Sequence, residues 1–142
     1  MEFKKWSDSI NKLAENALNK IVDSTIASIE KRVSEKSSTE EYFIAGFPKS
    51  LEFQLKQDRE SNKIFLPIRP ILLGGDDLTF VCESRIALNM TQAALDVFSK
   101  SKVEVLGKIG ACAGIAISRT HSPFSRVYEL AESLCGNAKA SS

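Results

Sequence analysis

Two apolar segments joined by a Gly-Gly-Asp-Asp turn constrain the fold of this chain more than any other feature. The first segment, residues 64–73, contains two prolines, so a regular strand is expected to start near Arg69 or Pro70. The second segment, residues 78–82, consists largely of β-branched and aromatic residues, which favour strands. Glycine supplies the positive φ that a tight turn requires. The turn at residues 74–77 therefore predicts an antiparallel β-hairpin with two carboxylates at its tip.

The residues before the hairpin divide into a helix and a segment without a clear assignment. Residues 7–33 place apolar side chains mostly three or four positions apart and contain no proline or glycine, which predicts one long amphipathic helix. Residues 35–63 combine polar, loop-like stretches with the short strand-forming segment 42–47. We interpret 35–63 as a variable insertion, and the sequence leaves open whether 42–47 is an added strand or part of that insertion.

After the hairpin, the pattern predicts a helix, a strand and a helix. Asn89 is followed three residues later by Gln92, as in a capping box, and predicts the start of a helix. Residues 109–117 are small or apolar throughout, which is typical of an interior strand packed on both faces. Pro123 is expected at an early position of the last helix. The expected fold class is α+β, with one domain over residues 1–142 and helices on one face of a mainly antiparallel, ferredoxin-like sheet whose first strand is missing.

Composition limits the classes of function. The formal net charge of +1 gives no polyanion-binding signature, so direct binding of nucleic acid is not expected. No run of about 18 apolar residues could span a bilayer, and the first residues lack the apolar stretch of a signal peptide. The three cysteines are widely spaced and lie in apolar or small-residue segments, which predicts reduced core cysteines: Cys82, Cys112 and Cys135. A cytoplasmic protein without membrane contact is the expectation.

The neighbouring carboxylates of Asp76 and Asp77 indicate a metal site. A Gly-Gly-Asp-Asp sequence can be a turn and nothing more, but turn geometry does not require two carboxylates that repel each other. A divalent cation would relieve that repulsion, and hard oxygen ligands suit Mg²⁺ or Mn²⁺. A metal bound here could bridge phosphate oxygens and polarise an α-phosphate for attack by a ribose hydroxyl. Asp76 and Asp77 are therefore the candidate catalytic and metal-binding residues.

Three segments in this order resemble a known family. Residues 72–79 carry the Gly-Gly-Asp-Asp hairpin, residues 111–117 have the sequence Ala-Cys-Ala-Gly-Ile-Ala-Ile, and residues 131–139 begin with Ala-Glu and end with Ala-Lys. Together they resemble the palm domain of the large subunit of type III CRISPR effector complexes and, more narrowly, its stand-alone bacterial relatives. GGDEF diguanylate cyclases and class III nucleotide cyclases are broader kin. The resemblance implies that residues 64–139 form the hairpin and the C-terminal half of a palm.

The resemblance also implies an activity and a role for each motif residue. It implies a nucleotidyltransferase or cyclase that uses ATP or a related triphosphate, releases pyrophosphate and makes oligonucleotide signals in antiviral defence. Asp76 matches the metal-binding carboxylate of the family, and Asp77 matches its acidic neighbour. Gly74 and Gly75 would let the nucleotide approach the backbone closely. Lys139 matches the lysine at the end of the last helix that reaches the triphosphate.

One expected element of a palm does not appear in the sequence. Family members normally carry a strand with an acidic motif ahead of the first long helix, and no such strand precedes Ser7. Three explanations are open. The chain is a fragment or half of a split enzyme whose partner chain supplies the strand, residues 42–47 fill its position, or the domain is a degenerate palm that folds by oligomerising. The expected partners are accordingly a nucleoside triphosphate and either another protein chain or further copies of this one.

Two functions remain open from the sequence. The first is a metal-dependent, nucleotide-binding palm domain of a CRISPR-type nucleotidyl cyclase or oligonucleotide synthase, which is incomplete or half of a split enzyme. The second is a catalytically inactive palm that acts as a scaffold or interaction module in an antiviral defence complex. Metal-dependent turnover would separate the first function from the second.

Overall fold

A computed structural model describes residues 2–46, 52–58, 60–74, 77–100, 102–103, 107–108 and 110–141 of the chain. Within these residues the fold is α+β, with three α-helices, a short 3₁₀ turn and three small antiparallel sheets. The helices are α1 (Glu2–Ala27), α2 (Ala87–Lys100) and α3 (Phe124–Ser141). The strands are β1 (Ile29–Val33), β2 (Glu40–Ile44), β3 (Phe53–Gln54), β4 (Ile68–Gly74), β5 (Asp77–Cys82), β6 (Lys102–Val103) and β7 (Gly107–Lys108).

The first helix is shorter at its C-terminal end than the sequence predicted. Helix α1 ends at Ala27, and the last residues of the predicted range form strand β1 instead. Ile29 and Val33 are four positions apart, a spacing that fits one face of a helix and equally one face of a strand. Pairing with β2 favours the strand over the helix. The two strands are antiparallel, with Ile29 opposite Ile44 and Val33 opposite Glu40. The prediction of one helix over residues 7–33 is therefore wrong beyond Ala27.

The hydrophobic core lies where α1 packs along α2 and against β4 and β5. Ile21 on α1 and Met90 on α2 are both buried in it. The buried hydroxyl of Thr25 donates a hydrogen bond to the carbonyl of Ile21 at 2.9 Å and lies 3.3 Å from the sulfur of Met90. This polar group is thus satisfied inside an apolar environment. Half-buried side chains of the β4–β5 hairpin pack on the same core: Ile68, Leu78, Phe80 and Cys82.

Residues 42–44 of the segment 42–47 belong to strand β2 of a separate three-stranded sheet, and residue 47 lies outside the described residues. Strand β2 lies between β1 and β3 in that sheet and does not pair with β4. The sequence left open whether this segment is an added strand or part of an insertion, and its described part is an added strand. It does not take the place of the missing first strand beside the hairpin. Ion pairs between neighbouring strands stabilise the sheet. The Nζ atom of Lys31 on β1 lies 2.8 Å from a carboxylate oxygen of Glu40 on β2. The guanidinium of Arg32 bonds to Glu52 at 2.9 Å and lies 4.5 Å from the ring centre of Phe43.

The predicted β-hairpin is confirmed over the described residues. Strands β4 and β5 pair antiparallel from Ile68 opposite Cys82 to Gly74 opposite Asp77. Pro70 lies inside β4, where the register shifts between Pro70 and Leu72. A proline lacks the N–H group that the ladder requires, so an irregularity at this point is the expected accommodation. The strand consequently begins at Ile68, slightly before the predicted start.

The second helix begins earlier than its predicted start at Asn89. A 3₁₀ turn over Ser84–Ile86 precedes α2, which starts at Ala87. The side chain of Glu83 caps this turn by accepting a hydrogen bond from the backbone N–H of Arg85 at 3.0 Å. A carboxylate in the capping position satisfies an N–H group that would otherwise lack a partner. The prediction that Asn89 and Gln92 cap the start of this helix is therefore wrong, and Glu83 caps the 3₁₀ turn that leads into it.

The interior strand predicted for residues 109–117 is wrong over its described part. Residues 110–119 adopt no regular secondary structure, residues 112–116 are only half-buried, and Ile117 is 64% exposed. The segment lies against α3, and a Cβ atom on Gly114 would overlap the backbone carbonyl of Ala131 and the backbone nitrogen of Cys135. Small residues here serve close contact with a helix and not the interior of a sheet. Ile109 lies outside the described residues.

The last helix carries no buried side chain. Helix α3 starts at Phe124, directly after Pro123, whose carbonyl accepts a bond from the N–H of Val127 at 3.3 Å. The prediction that proline opens this helix is confirmed to within one residue. Large apolar side chains on α3 are exposed: Phe124, Leu130 and Leu134. Helix α3 therefore lies against the 110–119 segment without contributing a buried side chain to the core.

Replacing Ile21 with alanine tests the position of the core. Ile21 is 0% exposed, whereas Ile26 on the same helix is 51% exposed. Ile21→Ala is expected to lower the free energy of unfolding by about 2–5 kcal/mol, because it leaves a cavity in the core. Urea denaturation measures the change. The matched control, Ile26→Ala, should shift stability by less than about 0.5 kcal/mol, and equal effects of the two substitutions would contradict this core.

Replacing Gly114 with alanine tests the contact between the 110–119 segment and α3. The added methyl group would overlap the backbone of α3, whereas nothing lies within 4 Å of a Cβ atom at Gly110. Gly114→Ala is therefore expected to displace the segment, at a cost of about 1–3 kcal/mol. Faster hydrogen exchange in residues 127–139 would report it. Gly110→Ala is the control, and a Gly114→Ala protein with unchanged exchange would show that the contact is absent.

Candidate functional site

The described residues of the Gly-Gly-Asp-Asp turn lie at the end of the β4–β5 hairpin. Gly74 and Asp77 are directly opposite each other in the ladder, and the side chain of Asp77 is exposed. Gly75 and Asp76, which the sequence analysis assigned to nucleotide and metal binding, lie outside the described residues. Asp77 is thus the one carboxylate of the motif whose surroundings the structure describes.

One face of α3 carries four chemically active side chains, the first of which interacts with Thr79 on β5. Its residues are spaced four, three and four positions apart, which places them along a single side of a helix. At about 1.5 Å per residue the row extends roughly 16 Å along the helix. The members of this row, called the α3 row below, are Tyr128, Glu132, Cys135 and Lys139. The row ends at the lysine that the sequence analysis assigned to the triphosphate.

Tyr128 connects α3 to strand β5. A hydrogen bond with the carboxylate of Glu132 raises the pKa of Tyr128 above its usual value, with smaller contributions from burial and from the negative charges of Glu132 and Asp77. A hydrogen bond with the hydroxyl of Thr79 lowers the pKa of Tyr128 and so offsets part of this increase. The phenol therefore lies between its own helix and β5, close enough to Asp77 to sense its charge. The charges of two carboxylates, Glu132 on α3 and Asp77 on β5, thus act on the same hydroxyl group.

Cys135 brings Asp77 and Lys139 into one environment. Burial raises the pKa of the Cys135 thiol, and a hydrogen bond with Cys112 and the charge of Asp77 act in the same direction, whereas the charge of Lys139 lowers it. Both charges therefore lie within electrostatic range of one sulfur atom. Asp77 and Lys139 belong to different motifs and are far apart in the sequence. Of the five predicted site residues, Asp77 and Lys139 each lie within electrostatic range of the Cys135 thiol, and Gly74 is opposite Asp77 in the ladder.

The described donor atoms near Asp77 are hard oxygens of the kind that Mg²⁺ and Mn²⁺ prefer. They comprise the carboxylates of Asp77 and Glu132 and the hydroxyls of Thr79 and Tyr128. Within the described ranges, no group of three or more His, Cys, Asp or Glu side chains is arranged to hold a metal ion. These oxygens match a divalent cation in atom type alone, and Asp76 is the further ligand that the family resemblance implies.

Tyr128, Glu132 and Cys135 were not predicted as site residues. Their spacing along the last predicted helix was visible in the sequence and would have placed them on one face with Lys139. Nothing in the sequence indicated that this face comes within electrostatic range of Asp77, because that depends on how the hairpin and α3 pack. A shallow groove of mixed polar and apolar lining, formed by residues 64–70, Val81 and Cys82, lies at the opposite end of the hairpin and does not belong to this site.

Comparison of the chain with protein-family models, with curated proteins and with solved structures gave no match. Among the residues that the structure describes, no helix combines the length and the apolar character needed to cross a membrane. The functional assignment therefore rests on the motif residues and on the geometry around Asp77.

The pKa of Tyr128 tests whether Asp77 lies beside α3. In a Tyr42→Phe background, Tyr128 is the one remaining tyrosine, so its ionisation can be followed by ultraviolet absorbance. Glu132→Gln removes the largest influence that raises the pKa and is expected to lower it. Asp77→Asn is expected to lower it by a smaller amount.

Asp23, which is exposed on α1, provides the matched control for this titration. Asp23→Asn should leave the ionisation of Tyr128 unchanged, because the charge that it removes does not act on this phenol. Far-ultraviolet circular dichroism at each pH verifies that the protein stays folded. A Tyr128 pKa that is the same in the Asp77→Asn and Asp23→Asn proteins would contradict the placement of the hairpin end against α3.

Proposed function

We propose that this chain is a metal-dependent, nucleotide-binding palm domain of a CRISPR-type nucleotidyl cyclase or oligonucleotide synthase. The observation that supports the proposal is that the charges of Asp77 and Lys139 both act on the thiol of Cys135 on α3, which lies against Cys112. A carboxylate for metal and a cation for phosphate must lie at the same place if they bind one metal–triphosphate complex. The resemblance of the three motifs to the palm family supports the same function.

Each residue of the proposed site has a defined role. Asp76 and Asp77 hold Mg²⁺ or Mn²⁺, and Glu132 adds a negative charge on the same side of Tyr128. A bound divalent metal supplies charge neutralisation and polarises the α-phosphate. Lys139 donates hydrogen bonds to the triphosphate, for which ATP is the favoured source. Gly74, with Gly75, leaves room for the nucleotide beside the backbone because neither residue carries a Cβ atom.

We propose further that another protein chain, or a second copy of this one, adds a strand to the hairpin. In the described part of the chain, β4 and β5 pair only with each other, so each has an edge with unpaired backbone groups. Exposed edges of this kind are sites where a further strand can pair. Ile71 and Val81 are exposed on these strands, and a partner would cover them. In a palm, a strand added here would supply the second carboxylate motif.

A catalytically inactive scaffold is the alternative, and one observation favours it. Several large apolar side chains in the C-terminal part are exposed, as on surfaces that contact other proteins: Ile117, Phe124, Leu130 and Leu134. A scaffold in an antiviral defence complex would use such a surface without needing metal or nucleotide. It would assemble with a neighbouring chain and show no metal-dependent turnover.

Thermal unfolding with ATP and Mn²⁺ tests the nucleotide site. A ligand present at about 100 times its Kd stabilises the folded state by about 2.7 kcal/mol, so a clear rise in Tm is expected. Asp76→Ala should abolish this rise. Lys139→Ala should weaken binding about 10- to 100-fold, because it removes a charge-assisted contact with phosphate. Asp23→Ala and Lys100→Ala, which change exposed charges on α1 and α2, are the matched controls.

The outcome also separates the two candidate functions. Mass spectrometry of the purified protein under native conditions identifies a co-purifying chain, and the titration is repeated with that chain present. Binding that depends on Asp76 and Mn²⁺ supports the enzyme or enzyme half. No rise in Tm in any of these samples, together with a stable complex, would reject the nucleotide site and leave the scaffold.

A further inference from the structure

Two cysteine side chains meet where the 110–119 segment lies on α3. The sulfur atoms of Cys112 and Cys135 are 3.9 Å apart. Each thiol also contacts the backbone of the other residue, since the Sγ atom of Cys112 lies 3.7 Å from the carbonyl oxygen of Cys135 and the reverse distance is 3.6 Å. The two residues therefore face each other directly. A disulfide requires a sulfur–sulfur distance of about 2.05 Å, so a small approach of the segment to the helix would join them.

Cys82 provides an internal comparison. It lies on β5 and packs against the main core, and burial raises the pKa of its thiol to about 11. The pKa of Cys135 is raised as well, so thiol acidity does not distinguish the pair from Cys82. The distance between the sulfur atoms does distinguish them, because Cys112 and Cys135 lie 3.9 Å from each other. A sulfenic acid formed at either one would be next to the thiol that resolves it.

We propose that Cys112 and Cys135 form a reversible intramolecular disulfide when the protein meets a peroxide. One thiolate attacks the O–O bond of hydrogen peroxide and gives a sulfenic acid and hydroxide. The second thiol then attacks the sulfenic sulfur, forms the S–S bond and releases water. In total, two thiols and one peroxide give one disulfide and two water molecules. A dithiol reductant restores both thiols and is itself oxidised to a disulfide.

The crosslink would fix a part of the fold that few other contacts hold. Residues 110–119 pair with no strand, and α3 has no buried side chain. The disulfide would tie the segment to the helix at the close contact between Gly114 and Ala131. Lys139 lies one helical turn beyond Cys135, so the same bond would restrict the end of α3. This inference concerns the thiol pair alone and stands whether or not the chain binds nucleotide.

Peroxide treatment of the reduced full chain tests the proposal. Trypsin places Cys112 in the peptide 109–119 and Cys135 in the peptide 127–139. After treatment with a small molar excess of hydrogen peroxide, mass spectrometry without reduction should find these two peptides joined. Thiol titration should show the loss of two of the three thiols, and dithiothreitol should restore them. The Cys82→Ser protein should behave in the same way.

Matched variants decide the outcome. Cys112→Ser and Cys135→Ser each change one atom of the pair and should abolish the joined peptides while circular dichroism confirms the fold. In the wild-type protein, hydrogen exchange in residues 110–117 should slow on oxidation and recover on reduction. Two results would overturn the proposal: unlinked peptides 109–119 and 127–139 after thiol loss, or crosslinks through Cys82 or between molecules in comparable yield.

Discussion

Helix α1 packs along α2 through a buried seam that includes Ile21, Thr25 and Met90, and the rest of the described structure depends on this contact. One face of α1 is buried against α2. Helix α1 also packs against β4 and β5 and covers the inner face of the hairpin. A two-stranded hairpin is marginally stable alone in water. Its position, and with it the position of Asp77, is therefore set by the helix pair beneath it.

The candidate site arises where this well-packed part meets a loosely held one. Strand β5 is anchored by the core, whereas α3 is positioned by Tyr128, by the thiol pair and by the close contact at Gly114. A site that joins such parts can be adjusted by small movements of α3, since few buried contacts oppose them. A ligand that contacts both Asp77 and Lys139 would hold the two parts together and stabilise α3.

The hairpin could be predicted because its signals are local: glycines, strand-forming residues and their order within a short segment. The end of α1 could not be predicted, because the spacing of Ile29 and Val33 fits a helix and a strand equally well. Pairing with β2 makes this segment a strand. Residues 110–117 were misassigned because small apolar residues suit both an interior strand and a helix contact. At the candidate site, the acidic motif singled out Asp77 and the family resemblance singled out Lys139, whereas the interaction of Tyr128 with Glu132 and Thr79 depends in part on packing between distant segments.

The proposed function requires that the end of the hairpin and the α3 row bind one metal–nucleotide complex. Paramagnetic broadening of backbone amide signals by Mn²⁺ in the presence of ATP tests this claim most directly, because the effect falls steeply with distance from the metal. Selective broadening is expected in residues 74–79 and 128–139, with sharp signals retained along α1 and in β1 and β2. Broadening centred on the acidic residues of β2, or none in either predicted region, would contradict the proposed function.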